Sequence, residues 1–223
     1  MDIHCPLINN KKLMIIAIDG FACTGKSTVA DALAKKIGFK HINSGMFFRQ
    51  ITLLLYKKSI TPKNLESNYD TVEKLVSEIK FDNLFSQKEL KQQEIGELGS
   101  LVAKIPIVRN RVNEELHNIA RNENVIIDGR DIGTNVFPNA EFKFFFVVNT
   151  DERAKRLIKE RNIENTVENF EKSKKEIETR DHNDLNRDIS PLKKANDAIE
   201  INRDNLSVEE TVALLYKKCN SNL

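Results

Sequence analysis

Cysteine is scarce in this chain: only Cys5, Cys23 and Cys219 occur among 223 residues. No two of them stand in a CxxC spacing, and so odd and sparse a set argues against a disulfide framework. We therefore expect a protein of a reducing compartment, with the cytoplasm as the default location.

Long apolar runs are also missing. No apolar stretch approaches the roughly 18 residues that a membrane-spanning helix needs. The polar residues 9–12 interrupt the N-terminal segment before it could form the core of a signal peptide. With 40% hydrophobic and 30% charged residues, the composition is typical of a soluble globular chain, and we expect no membrane partner.

The chain lacks an excess of charge of either sign. Its 35 Lys and Arg residues face 33 Asp and Glu residues, which leaves a formal net charge of +2. Nucleic-acid-binding domains are usually more basic, with the basic residues clustered. We expect no nucleic-acid partner, although local basic clusters could still bind a phosphorylated small molecule. Repeats are absent too, so the length favours one large domain, or one domain with a lid or small insert.

A glycine-rich motif near the N-terminus organises the rest of the chain. The apolar run 13–18 predicts a buried strand, residues 20–27 match the pattern GxxxxGK[ST], and apolar residues at helical spacing follow as far as Ile37. In this order, strand, loop and helix bind the phosphates of a nucleoside triphosphate through loop N–H groups. A chance match in a Gly/Ser turn is the alternative, which the flanking strand and helix disfavour.

Each residue type in the motif has a chemical reason. Gly20 and Gly25 can adopt backbone angles that side chains forbid. Lys26 places a positive charge beside the transferred phosphate, and the Ser27 hydroxyl is a ligand for Mg²⁺. We predict that ATP is bound with Mg²⁺ by a loop consisting of Gly20, Phe21, Ala22, Cys23, Thr24, Gly25, Lys26, Ser27 and Thr28.

Strands and helices alternate along the remainder of the chain. Further apolar runs predict strands over 39–43, 125–128, 142–148 and 198–201, and a short one over 81–85. Such alternation is typical of an α/β protein: a three-layer α/β/α P-loop NTPase fold with a parallel central sheet. We divide this single domain, residues 1–223, into a core (about 13–56, 105–150 and 189–218), a small insert (about 57–104) and a helical lid (about 151–188).

A second site-like cluster follows the strand 125–128. Asp128, Arg130 and Asp131 stand there with two glycines, at the carboxyl end of the strand, where open α/β sheets bind ligands. A structural ion pair is the alternative. The segment 180–188 alternates arginines and acids and is too polar to be core. It is either a solvated helix face or a mobile lid that carries arginines to a phosphate.

The glycine-rich motif does not by itself name a reaction. A regulatory GTPase would carry an N-K-x-D element and a D-x-x-G switch, and the chain has neither. Motor and AAA-type ATPases are usually longer. A small phosphotransferase remains, whose second substrate needs arginines of its own. The chain supplies Arg49, Arg109, Arg130, Arg180 and Arg187.

From Ile15 to about Tyr216 the chain resembles the bacterial cytidylate (CMP/dCMP) kinases. The matching segments are IAIDGFACTGKSTVADALAKKIGF, SGMFFR, SLVAKIPIVRNRV, IIDGRDIGTNVFPNAEFKFFF and RDHNDLNRDISPLKKANDA. The patterns DGRDIGTxVFP and RDxxDxNRxxxPL are together specific to that family, far more so than the phosphate-binding loop. Their order and spacing also agree.

The resemblance implies that the γ-phosphoryl group of ATP is transferred to CMP or dCMP. It assigns the acceptor phosphate to Arg49 and Arg130, and the sugar to Arg180 and Asp184. It implies that the lid brings arginines over the phosphates, so that the catalytic set becomes Lys26, Arg130, Arg187, Arg153 and Arg156. The acceptor-binding set it implies is Ser44, Arg49, Ser100, Arg109, Arg130, Asp131, Arg180, Asp184 and Arg187.

The resemblance also implies how the base is read, by Ser100, Arg109 and Asp131. Cytosine presents acceptors at O2 and N3 and a donor at the 4-amino group. Arginine can serve the acceptors, and aspartate or serine can serve the amine. Uracil reverses the pattern at N3 and O4, so we expect CMP to be preferred over UMP.

The chain departs from the family pattern in three places: the phosphate loop reads Phe21-Ala22-Cys23-Thr24, Phe48 replaces a usual tyrosine, and Lys91 stands where arginine is common. Because the loop backbone binds the phosphates, we expect ATP binding to survive. A P-loop regulatory module that transfers nothing is the alternative from another class, and a kinase for UMP, AMP or a small metabolite is the alternative among enzymes. Since no large apolar stripe is left for an interface, we expect a monomer.

Overall fold

A computed structural model of the chain describes residues 13–61, 63–81, 85–90 and 92–220. The strands and α-helices within these ranges are β1 (Ile15–Gly20), α1 (Lys26–Ile37), β2 (Lys40–Asn43), α2 (Ser44–Lys57), α3 (Tyr69–Glu78), α4 (Gln87–Leu90), α5 (Gln93–Val102), α6 (Pro106–Ala120), β3 (Val125–Asp128), β4 (Phe142–Val147), α7 (Thr150–Arg161), α8 (Val167–Leu185), β5 (Ile199–Asn202) and α9 (Val208–Asn220).

The strands form one parallel sheet in the order β2-β3-β1-β4-β5. The central strand β1 pairs on one side with β3, where Ile16 lies opposite Ile126, and on the other with β4, where Ile16 lies opposite Phe142. Every residue of β3 is buried, as expected of a parallel sheet that is covered on both faces. The parallel central sheet predicted from the sequence is confirmed.

Helices cover both faces of the sheet. On one face, residues of α1 and α9 pack against Ile18, Phe144 and Phe146. On the other face, residues of α2, α3 and α6 pack against Ala17 and Ile127. The arrangement is therefore the expected three-layer α/β/α domain, whose two apolar cores lie above and below the central strands.

Several element boundaries differ from those predicted. Strand β1 covers Ile15–Gly20 and not 13–18, and β5 covers Ile199–Asn202 and not 198–201. The side chain of Asn149 caps helix α7, because its oxygen accepts the backbone N–H of Asp151 at 2.8 Å. Helix α5 ends at Val102 and α6 begins at Pro106, whose missing N–H costs nothing in the first turn of a helix. The strand considered for 81–85 falls mostly outside the described residues.

Two groups of helices extend from this core. In the predicted insert, Leu90 and Ile95 pack against Leu53 of α2. In the predicted lid, α7 and α8 pack together through Ala154, Leu157 and Ile177. None of the described helices combines the length and apolar composition that are needed to span a bilayer. The division into core, insert and lid stays a prediction.

The expectation that the segment 180–188 is too polar to be core was wrong for three of its residues. Helix α8 continues to Leu185, and Asp181, Asp184 and Arg187 are buried. Their burial is stabilised because each charge meets an opposite charge. Asp181 pairs with Arg153, Asp184 with Arg130, and Arg187 with Asp131.

Gly20, at the end of β1, offers a test of this packing. It has φ of 144°, and a Cβ built there would lie 2.3 Å from the carbonyl oxygen of Phe146 on β4. Gly38 has φ of 74° but no neighbour within 4 Å. We expect Gly20→Ala to lower the free energy of unfolding by about 3 kcal/mol, from backbone strain plus overpacking. Gly38→Ala should cost only about 1 kcal/mol, from strain alone.

Urea titration of both variants measures the difference. Equal losses of unfolding free energy for Gly20→Ala and Gly38→Ala would contradict the close approach of β4 to Gly20.

Candidate active site

The carboxyl ends of β1 and β3 meet at one edge of the sheet. Ile18 lies opposite Asp128 in the register of the two strands, and the N–H of Gly129 donates to the carbonyl of Ile18 at 3.1 Å. The phosphate loop (residues 20–27) and the turn after β3 therefore start side by side, although they are far apart in the sequence. This edge is where open α/β sheets bind their ligands.

The phosphate loop turns into helix α1 through left-handed backbone conformations. Gly25, directly before the helix, has φ of 80°, and Cys23 has φ of 56°. Gly25 adopts this conformation freely, whereas a cysteine does so at a cost of about 1–2 kcal/mol. The loop surrounds the N-terminus of α1, where the positive end of the helix dipole favours an anion.

Lys26 is buried under the loop. Its Nζ donates to the carbonyl of Phe21 at 2.6 Å and to the hydroxyl of Thr24 at 3.3 Å. Burial, and next the positive charge of Arg130, lower the pKa of Lys26 to about 7. Both of these hydrogen-bond acceptors are neutral, and an anion bound in the loop would stabilise the charged form of the ammonium group.

The loop brings the Ser27 hydroxyl against the carboxylate that ends β3. Ser27 Oγ donates to Asp128 Oδ2 at 2.7 Å and accepts from Asn43 Nδ2 at 2.8 Å. The other carboxylate oxygen lies 2.6 Å from Nε2 of His41. A hydroxyl and a carboxylate side by side are oxygen ligands of the kind that a hard divalent cation prefers.

Three arginines beside the loop form an electropositive cluster, which consists of Arg49, Arg130 and Arg180. Burial, and next the positive charge of Arg180, lower the pKa of Arg49 to about 10. Arg49 donates to the carbonyl of Leu90 at 2.6 Å, and no ion pair of its guanidinium occurs within the described ranges. Arg130 Nε donates to Asp184 at 2.7 Å. Burial lowers the pKa of Arg130 and the Asp184 carboxylate raises it, with a net shift upward.

Arg180 is only loosely neutralised, since its Nη1 lies 3.7 Å from the Glu176 carboxylate. That carboxylate also accepts two hydrogen bonds from Arg161, at 2.7 and 2.8 Å. The positive charges of Arg49 and Arg180 are therefore only weakly compensated by nearby acids. A phosphate group is a suitable ligand for such a pair.

Asp131 lies between two arginines. One of its oxygens contacts Arg109, and the other accepts from Arg187 Nη2 at 3.0 Å. Burial raises the pKa of Asp131, while the two arginines oppose the shift. The sequence placed Arg187 beside the phosphates being joined, but in the structure its guanidinium is held by Asp131 and by the carbonyl of Ser190.

Two serines of the predicted acceptor site, Ser100 and Ser44, form hydrogen bonds outside the group of Asp131, Arg109 and Arg187. The hydroxyl of Ser100 donates to the carbonyl of Glu97 at 2.7 Å, and Asn183 Nδ2 donates to it at 3.4 Å. Among the described contacts none joins Ser100 to Arg109 or Asp131. Ser44 is buried, and its hydroxyl donates to the backbone carbonyl of Asp128 at 2.8 Å. Ser44 therefore contacts the carboxyl end of β3.

The buried carboxylate of Asp19 supports the turn that carries Asp131. It accepts the N–H groups of Ile132 and Gly133 at 2.9 and 2.7 Å. Burial raises the pKa of Asp19 to about 6 against the lowering effect of these two bonds. Asp19 thus ties the start of the phosphate loop to the turn after β3.

The predicted lid is tied to the loop by Arg153 and Asp181. Arg153 Nη1 donates to the Asp181 carboxylate and to the carbonyl of Ala22, while Asp181 accepts the N–H of Ala22 at 3.3 Å. The Arg153 guanidinium also lies over the ring of Phe21 at 5.3 Å. Arg153 is buried, so it fixes the lid on the loop in this conformation.

Arg156 reaches the opposite side of the loop. Its Nη1 donates to the carbonyl of Thr24 at 3.1 Å, and its Nη2 donates to the carbonyl of Arg203 at 2.9 Å. Arg203, which follows β5, donates to the same Thr24 oxygen at 2.8 Å.

Sequence reasoning missed several residues of this site: Asp19, His41, Asn43, Asp181 and Arg203. Asp19 and Asn43 each stand near the carboxyl end of a predicted strand, the position that led us to Asp128, and that signal could have found them. Asp181 directly follows Arg180 in a segment that we considered either a solvated helix face or a mobile lid. Nothing in the pattern around Arg203 distinguishes it from a surface arginine.

We expect proton uptake when a polyphosphate binds to the loop. With a pKa of about 7, Lys26 is largely neutral at about pH 8 in the free protein, and an adjacent phosphate raises the pKa and draws a proton from solution. Isothermal titration in two buffers of different ionisation enthalpy should show uptake at about pH 8 and little at about pH 6. The variant Lys26→Arg, whose guanidinium stays charged, should show none.

Identical binding enthalpies in the two buffers at about pH 8 would contradict a lowered pKa for Lys26.

Known proteins with similar sequences agree in their names. The family model described as "Cytidylate kinase" matches residues 16–221. A curated cytidylate kinase of Fusobacterium nucleatum is 40% identical over 92% of this chain and 96% of its own length. One of Listeria innocua is 38% identical, over 89% and 92%. One of a Thermotoga species is 34% identical, over 91% and 94%.

Solved structures agree in the fold. An uncharacterized protein of Eubacterium ventriosum superposes with a TM-score of 0.56 at 16% identity, covering 94% of this chain and 99% of its own. The protein TT1252 of Thermus thermophilus has a TM-score of 0.52 at 15% identity, covering 96% and 99%. At such identities the likeness concerns the fold alone. The family match and the curated relatives extend over nearly the whole chain, and the chain belongs to the cytidylate kinase family.

Proposed function

We propose that the protein transfers the γ-phosphoryl group of ATP to CMP or dCMP, giving ADP and CDP or dCDP. One observation in the site supports this proposal above all. Arg49 and Arg180, which are poorly neutralised, lie in the electropositive cluster beside the phosphate loop, and Arg130 belongs to the same cluster. A loop that binds only one nucleotide needs no such cluster, whereas an acceptor monophosphate does.

The donor and acceptor phosphates then meet between the loop and the arginines. The loop N–H groups and Lys26 hold the donor, and Arg49 and Arg130 hold the acceptor phosphate. An acceptor phosphate oxygen is already anionic, so no strong general base is needed. The residues act by positioning the reactants and neutralising their charge, and Lys26 and the arginines stabilise the charge that spreads over the transferred group.

We assign the Mg²⁺ that accompanies ATP to Ser27 and Asp128. Their adjacent oxygens fit a hard cation, and no group of three His, Cys, Asp or Glu that suits a metal occurs in the part of the chain that is described. Mg²⁺ is usually held by one or two protein oxygens, with phosphates and water completing its shell. When bound, it would supply positive charge to the donor phosphates.

The base site consists, in this proposal, of Asp131, Arg109 and Ser100. Arg109 Nε is buried without a hydrogen-bond partner among the described atoms, so it is a free donor suited to O2 or N3 of cytosine. Asp131 accepts from two arginines and, as a carboxylate, keeps further lone pairs for the 4-amino group. Ser100 would join them when the insert moves toward the base.

Closure by the lid protects the reaction. Arg153 and Asp181 already fasten α7 and α8 to the loop, and water excluded by them cannot accept the phosphoryl group. We place the sugar of the acceptor beside Arg180 and Asp184. We further propose that the enzyme works in the cytoplasm and as a monomer.

The reaction is tested by ADP release from Mg–ATP with CMP, dCMP, UMP, AMP or no acceptor. We expect fast release with CMP and dCMP only. Release with every acceptor, or with water alone, would contradict the base site. ATP binding without any release would favour a regulatory module.

Asp131→Asn tests the base site itself. The amide can donate to O4 of uracil and no longer holds both arginines, so we expect the CMP/UMP ratio of kcat/KM to fall by about tenfold or more. Asp31→Asn, which removes an exposed carboxylate paired with Lys35 on α1, serves as the matched control and should leave the ratio unchanged. An unchanged ratio in Asp131→Asn would locate the base reader elsewhere.

A further inference from the structure

Arg203 is a buried cation for which the mechanism above has no use. It directly follows β5, and its side chain is 3% exposed. Nε donates to the hydroxyl of Thr211 on α9 at 2.9 Å, Nη1 donates to the carbonyl of Thr24 at 2.8 Å, and the guanidinium lies 5.3 Å from the centre of the Phe146 ring. The side chain thus connects the last strand and the last helix to the phosphate loop.

The charge of Arg203 is not neutralised by an acid. Within the described ranges, neither Arg203 nor the neighbouring Arg156 forms an ion pair with Asp or Glu, and both donate to the same carbonyl, that of Thr24. Burial, and next the positive charge of Arg156, lower the pKa of Arg203 to about 10, which still leaves it charged at neutral pH. Two buried or half-buried cations without a carboxylate partner are costly unless an anion is bound nearby.

The carbonyl that receives both arginines belongs to the peptide group whose N–H is that of Gly25. Gly25 directly precedes helix α1, and N–H groups at a helix N-terminus favour a bound anion. A hydrogen bond from a charged donor to a peptide oxygen polarises the whole peptide group, which makes its N–H a stronger donor. The arginines also hold the peptide plane in a fixed orientation from behind.

Arg203 is packed closely against this peptide. A Cβ built on Gly25 would lie 2.5 Å from Arg203 Nη1 and 3.8 Å from Arg156 Nη1. No side chain fits between the loop and the two guanidinium groups, so they act directly on the Thr24–Gly25 peptide.

We propose that Arg203 is a positioning residue for the phosphoryl donor, which acts together with Arg156 through the Thr24–Gly25 peptide to strengthen the binding of the donor's phosphates. The proposal rests on that part of the proposed function in which the loop binds ATP, and it does not depend on the identity of the acceptor.

The test compares Arg203→Met and Arg203→Lys with the unaltered full chain. Dissociation constants are measured by calorimetry for Mg–ATP and for inorganic tripolyphosphate with Mg²⁺, and the unfolding temperature is recorded for each variant. We expect Arg203→Met to weaken both ligands by about tenfold or more, the scale of one charge-assisted hydrogen bond. Arg203→Lys, which keeps the charge, should recover part of the loss. Arg121→Met, on the exposed end of α6, is the matched control and should change neither constant.

A double-mutant cycle with Arg156→Met adds a second measurement. Because both arginines donate to one carbonyl, the loss of affinity in the double variant should differ from the product of the two single losses.

Three outcomes would overturn the proposal. A loss for ATP but not for tripolyphosphate would mean that Arg203 acts on the nucleoside. A fall in unfolding temperature without a change in either constant would mean that Arg203 only joins α9 to the loop. Independent effects of Arg156→Met and Arg203→Met would contradict action through one peptide. These readouts are distinct from failure of the proposed function, which would appear as ATP binding without CMP-dependent ADP release.

Discussion

The parallel pairing of β1 with β3 is the constraint on which the site depends. It brings the phosphate loop, which follows β1, next to the turn that follows β3, and it sets Ser27 against Asp128 at 2.7 Å. Asp19 stabilises the same junction, because its carboxylate accepts hydrogen bonds from the backbone N–H groups of residues 132 and 133. The phosphate loop and the turn after β3 thus come from segments about a hundred residues apart and are kept in register by one pair of strands.

Charge compensation explains how so polar a region is built. The acids Asp131, Asp181 and Asp184 are buried, and each forms an ion pair with an arginine. Arg49, Arg156 and Arg203 have no such acid in the described part of the chain. Arg49 belongs to the electropositive cluster, and Arg156 and Arg203 both donate to the carbonyl of Thr24 in the phosphate loop. The ion pairs therefore stabilise the fold of this region. A bound anion would compensate the arginines that lack an acidic partner.

Much of the fold could be predicted from local patterns. Apolar runs such as 125–128 predict buried strands. The glycine-rich motif identifies the loop because its glycines can adopt backbone angles that side chains forbid and its Lys and Ser suit phosphate and metal binding. The individual roles that we propose for the arginines came only from the family resemblance, since an arginine on a helix such as Arg49 looks the same whether it binds a phosphate or is solvated. Asp181 and Arg203 escaped notice because their partners are backbone groups and side chains brought near by tertiary structure, which no local pattern records.

The order of the strands also has a consequence for how the chain folds. The central strand β1 is synthesised first, yet both of its neighbours come more than a hundred residues later, as the pairing of Ile15 with Val125 shows. The closure of such long loops is slow, because the chain loses conformational entropy before the contacts between strands can compensate for that loss. The phosphate loop, which needs β3 and β4 beside it, should therefore become ordered late. The N-terminal part of a growing chain would carry the complete motif well before it could bind a nucleotide.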